Sequence, residues 1–162
     1  MAGPGIVKRG IDTSQLLHAT DVLPTILDFI GIERPDERQG QALAPIYGKS
    51  WKPYLSGESL APVRGPLDAL GFEMVECRAI IKGDWKLIFM APPYGENDWH
   101  LFNLHDDPRE MTNLAGAEPE KFDELRSEWD AYAAAVGYIE AGEIKQLEGM
   151  SADEFFRYTG LS

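Results

Sequence analysis

Arg78-Ala79-Ile80-Ile81-Lys82-Gly83-Asp84-Trp85-Lys86-Leu87-Ile88-Phe89 is the stretch that decides the fold. Trp85, Leu87 and Phe89 alternate along its second half, and Val75, Cys77, Ala79 and Ile81 alternate up to its middle. A period of two puts successive side chains on opposite faces of a strand. Lys82-Gly83-Asp84 between the runs supplies the tight turn of a hairpin. Downstream, Pro92-Pro93-Tyr94-Gly95 marks a loop, residues 99–104 alternate again, and Asp106-Asp107-Pro108 ends the run as a turn. Three antiparallel strands in sequence order are expected.

The next element is helical. Pro119 stands near its start with acidic residues in the first turn, and Phe122, Leu125, Trp129, Tyr132 and Val136 fall on one stripe before Gly137. That stripe predicts a helix lying across the sheet, with Trp85, Leu87, Phe89, Leu101, Phe122, Leu125 and Trp129 sharing one core. The fold class is α+β, a small antiparallel sheet of three to four strands packed by a carboxy-terminal amphipathic helix. Ser151-Ala152-Asp153-Glu154, followed by Phe155, Phe156 and Tyr158, reads as a capping box opening a last short helix.

Upstream, Val22, Leu23, Ile26, Leu27 and Ile30 recur at helical spacing, with Asp21 as N-cap, Pro24 in the first turn and Gly31 as the left-handed stop. A helix this short is marginal alone and needs a surface to cover its apolar side. Residues 33–66 are rich in proline, glycine and charge, and read as an irregular connection. So long a structureless stretch is uncommon inside a compact domain, which suggests that it is laid over another part of a larger protein. The expected division is residues 1–60, 61–137 and a tail of 138–162.

The chain has 27 acidic against 15 basic side chains, a net charge of −12. Such a balance repels phosphate backbones and anionic lipid, so neither nucleic acid nor membrane is an expected partner. No run approaches the roughly 20 apolar residues of a membrane span, and the first residues lack the apolar centre of a signal peptide. A soluble chain is expected, with the cytoplasm favoured and the compartment otherwise open. One cysteine, Cys77, excludes an intrachain disulfide and reads as a small packed residue.

Catalytic groups do not assemble from these residues. His18, His100 and His105 have no zinc-ligand spacing. Asp84, Asp106 and Asp107 stand in turns, where Asp is favoured because its side chain accepts from nearby backbone N–H groups. Arg78, Lys82 and Lys86 lie on and around the hairpin and read as charges on the wet face of a sheet. No catalytic, cofactor or metal residue is assigned in this chain.

An ordered set of motifs carries a resemblance. His18-Ala19-Thr20-Asp21-Val22-Leu23-Pro24-Thr25-Ile26-Leu27, ending near Gly31, resembles the helix that follows the catalytic residues in sulfatases. Arg78-Ala79-Ile80-Ile81-Lys82-Gly83-Asp84-Trp85-Lys86-Leu87 is similar to the hairpin of their smaller carboxy-terminal domain. Leu101-Phe102-Asn103-Leu104, then Asp107-Pro108-Arg109-Glu110 and Asn113-Leu114, resembles the strand and turn before the family's terminal helix.

The resemblance implies a parent enzyme that hydrolyses sulfate esters with formylglycine beside a calcium ion. The family's modification signal needs Pro or Ala two positions after the Cys or Ser and Arg four positions after it. Cys77 has Ala79 but Ile81, so it does not match. The parent's amino-terminal catalytic domain is then this chain's partner, and the first helix belongs to that large α/β domain. Phe72, Glu73 and Met74 are read as a contribution to the wall of the substrate cleft, although a core or edge strand accounts for them equally. Alone, the chain is expected to be inactive and to form a homo-oligomer through residues 16–31. Two other readings stay open: part of a related phosphoester or phosphonate hydrolase, or an independent protein-interaction module.

Overall fold

The computed structural model describes residues 4–7, 15–74 and 76–140. They form two compact units divided between Asp68 and Ala69.

In the first unit a single 3-10 turn, Ala19–Asp21, leads into helix α1, Val22–Ile30. Gly31 adopts the left-handed conformation, and the N–H of Ile32 closes the helix by donating to the carbonyl of Leu27 at 3.0 Å. Two-residue strands β1, Glu37–Arg38, and β2, Gln41–Ala42, pair antiparallel, and α2, Lys52–Leu55, is one helical turn. The rest of the connection is irregular, as its composition predicts.

The setting of α1 leaves its apolar side without the cover that a helix this short needs. Its apolar stripe faces outward, with Val22, Leu23, Ile26 and Ile30 between 40% and 58% exposed, while the buried positions are Asp21 and Thr25. Asp21 is the residue before the helix, but its side chain makes no cap hydrogen bond. The Arg64 guanidinium and the backbone N–H groups of His18 and Lys49 hold that carboxylate instead.

The second unit is a four-stranded antiparallel sheet in the order β3-β4-β5-β6: β3, Ala69–Met74; β4, Cys77–Lys82; β5, Trp85–Phe89; β6, Trp99–Asn103. Helix α3, Pro119–Val136, packs on one face and ends at left-handed Gly137. Directly paired residues share a face, so Gly71, Ile80, Leu87 and Leu101 make one row beneath the helix. Ile80, Leu87 and Leu101 join Leu125 and Trp129 of α3 in a fully buried cluster, with Trp85, Trp99, Phe122 and Tyr132 around it.

Three details correct the sequence reading. The chain does not run straight from 75 to 81: Met74 pairs with Cys77, and Glu76 turns between them with φ +67. Phe72-Glu73-Met74 consequently ends a separate edge strand, β3. The row of β4 beneath the helix is Arg78, Ile80 and Lys82, not Cys77, Ala79 and Ile81. Ala79, with Phe102, is buried on the opposite face, and a strand covered on both sides reads as a continuous apolar run in which alternation does not reveal which side faces the helix. Phe89 is outside the buried cluster, half-buried in ring contact with Trp99. The capping box at Ser151 lies outside the described residues.

Candidate functional site

In the first unit a polar network surrounds Asp21. Its Oδ2 accepts from the backbone N–H of His18 at 2.8 Å and from Nη1 of Arg64 at 2.5 Å. Its Oδ1 accepts from the backbone N–H of Lys49 at 2.8 Å and from Nη2 of Arg64 at 2.5 Å. The two side chains are 0% and 3% exposed, so this is a buried bidentate pair. Burial by itself would raise the Asp21 pKa, but the Arg64 guanidinium and the Lys49 and His18 N–H groups outweigh it. They hold the carboxyl well below the usual carboxylate range.

The same face of α1 continues the pattern. The Thr25 hydroxyl donates to the Asp21 carbonyl at 2.6 Å and accepts from the Trp51 N–H at 2.9 Å. Asp28 accepts from the Ser50 hydroxyl at 2.7 Å and from Lys52 Nζ at 3.2 Å, and the Ser50 contact leads in lowering its pKa. Gly48 is forced by contact: a Cβ there would overlap the Thr20 carbonyl.

In the second unit the hairpin cations are engaged rather than free on a wet face. Lys82 pairs with Glu128 and, at 3.0 Å, with Glu124 of α3, which raises its pKa. Lys86 pairs with Glu110 at 2.7 Å. The guanidinium carbon of Arg78 lies 4.3 Å from the Phe89 ring centroid and 5.6 Å from those of Trp99 and Tyr138, and its Nη1 donates to Glu140 at 2.6 Å. Lys82 and Arg78 thereby dock the helix and the start of the tail onto the sheet, and Lys86 ties down the loop at Glu110.

The other candidates stay apart. His18 Nδ1 is 2.9 Å from the Thr20 hydroxyl, and His100 Nε2 is 3.8 Å from Glu96. Asp107 accepts from the N–H groups of Met111 and Thr112, the turn role that its position predicts. Among the described residues no three His, Cys, Asp or Glu side chains converge as a cation site. Cys77, half-buried opposite Met74, has no arginine at position 81. The described residues therefore fit neither a formylglycine nor a calcium centre. No described helix is long and apolar enough to cross a membrane. Glu73 and Met74, at the end of β3, are exposed, Met74 by 75%.

Sequence reasoning missed Arg64. It stands 43 positions from Asp21 in Pro62-Val63-Arg64-Gly65-Pro66, and no local pattern couples the two.

Known proteins resemble this chain over most of its length. The family described as N-sulphoglucosamine sulphohydrolase, C-terminal, matches residues 1–131. The chain is 31% identical over 140 residues to an uncharacterized sulfatase of Schizosaccharomyces pombe, covering 85% of this chain and 25% of that protein. It is 31% identical to arylsulfatase K of Homo sapiens, over 74% of this chain and 22% of the relative. Against the N-acetylglucosamine-6-O-sulfatase of Bacteroides thetaiotaomicron the identity is 30%, over 70% of this chain and 20% of the relative. The structure of BT4656 in complex with its substrate D-glucosamine-2-N,6-O-disulfate superposes with a TM-score of 0.53 at 26% identity, over 71% of this chain and 23% of that one. The chain thus spans a fifth to a quarter of the length of these relatives. With the match reaching from the first helix through most of α3, this chain belongs to the sulfatases, as a member of the N-sulphoglucosamine sulphohydrolase carboxy-terminal family.

Proposed function

We propose that this chain serves as the structural, cleft-lining carboxy-terminal portion of a sulfuric ester hydrolase and is inactive by itself. The observation that carries the reading is the family match over residues 1–131, combined with a span of only a fifth to a quarter of the relatives. An upstream catalytic portion of the same protein is its partner and brings the formylglycine and calcium that the family implies. Within this chain, Glu73 and Met74 present exposed side chains at the end of an edge strand, and with Phe72 they contribute to the substrate wall.

The outward stripe of α1 is the face that the upstream portion covers. Fully burying an aliphatic side chain of this kind is worth roughly 1.5–3 kcal/mol, so several left in water favour association. The chain alone accordingly self-associates through residues 16–31. The test of function is hydrolysis of a chromogenic aryl sulfate by the purified chain, with and without calcium. Background rates are expected; turnover that disappears in Cys77→Ala would overturn the reading.

A further inference from the structure

We propose that Asp21 is a rotational lock for α1, holding the helix's polar stripe against residues 48–52 and its apolar stripe outward. Asp21, Thr25 and Asp28 are spaced at i, i+4 and i+7, which places them on one helical face. Their partners follow one another along the opposing segment: Lys49 N–H to Asp21, Ser50 Oγ to Asp28, Trp51 N–H to Thr25, and Lys52 Nζ to Asp28. Only one setting of the helix about its axis makes all four contacts.

Within this chain alone, burying Ile26 and Ile30 would favour the opposite setting. Asp21 overrides it because a buried carboxylate tolerates no loss of partners. Turning the helix would strip it of the Lys49 backbone donor and a bidentate guanidinium together, while the His18 N–H, three residues away in the adjoining turn, would move with it. Exchanging a whole buried ion pair for apolar side chains is often neutral, whereas removing one partner leaves an uncompensated charge, so the pair acts through the arrangement it demands. The lock keeps the apolar stripe available for a partner whichever enzyme the parent is, and its test is independent of the sulfatase reading.

The experiment is native-state hydrogen exchange on the full 162-residue chain and its Arg64→Met and Arg64→Lys variants. In Arg64→Met the amides of Lys49 and Trp51 should exchange at least about tenfold faster, while amides bonded within α1 and those of Leu87 and Leu101 keep their protection. Arg64→Lys, which keeps a charged donor, should show a smaller change of the same pattern. Unchanged Lys49 and Trp51 amides in both variants would overturn the lock. Equal loss across α1 itself would do so too, since the pair would then be a general stabiliser. The double variant Asp21→Arg with Arg64→Asp keeps opposite charges but offers the His18 and Lys49 N–H groups no carboxylate at position 21. Lys49 protection should stay low there, and its recovery would show that charge attraction alone sets the helix.

Discussion

Gly71 of β3 lies so close beneath the ring of Tyr132 on α3 that a Cβ at position 71 would overlap it. The edge strand and the helix touch there through backbone and ring, without an intervening side chain.

Gly71→Val should therefore shift the helix or the strand. Overpacking of this kind costs typically about 1–3 kcal/mol. A lowered thermal midpoint, relieved by combining the change with Tyr132→Ala, is the expected result. Additive losses would mean that the two positions are not in contact.

Trp129 is 2% exposed and contacts the rings of Trp99, Tyr132 and Tyr138. Trp129→Ala should cost about 3–5 kcal/mol, read by urea denaturation. An unchanged midpoint would remove this residue from the core.

Acid stability should report on Asp21. Its folded pKa is depressed, so its contribution is fully present above the unfolded value of about 3.9 and is lost as pH falls below it toward the folded value. Lys82 acts with the opposite sign: its raised pKa gives stability that is present below about 10.4 and fades as pH climbs through the folded value. Asp21→Asn should flatten the acid limb of a stability–pH curve and leave the alkaline limb unchanged. A wild-type acid limb retained in that variant would place the sensitivity elsewhere.

Self-association is checked by sedimentation. The wild-type chain should sediment as a dimer or larger species, and Ile26→Asp, at a position 52% exposed, as a monomer without loss of helix. A monomeric wild type would refute association through residues 16–31.

The second unit was largely legible because each of its elements is specified locally. Gly83 fixes the hairpin turn, Trp85 and Leu87 the strand period, and Pro119 and Gly137 the limits of α3. Ile80 was hidden because Ala79-Ile80-Ile81 is apolar throughout, and period two cannot choose a face from such a run. In the first unit, periodicity located α1 and its apolar stripe but did not say which face meets the rest of the unit. Hydrophobic pattern says which side chains share a stripe, while the direction of that stripe depends on Arg64, Lys49 and Trp51, all distant in sequence. The polar network was therefore invisible to local reading.

The sequential order of β3 to β6 also bears on how the molecule assembles. Each strand pairs with its neighbour in the chain, so the sheet forms through short loop closures, whereas the Asp21–Arg64 pair must close a loop of 43 positions. Refolding should accordingly show two stages: Trp129 emission recovering with the early sheet, then slower protection of the Lys49 amide. A nascent chain would meet the reverse schedule. α1 leaves the ribosome ahead of Arg64 and waits, with its acidic stripe unmatched, until that residue emerges behind it.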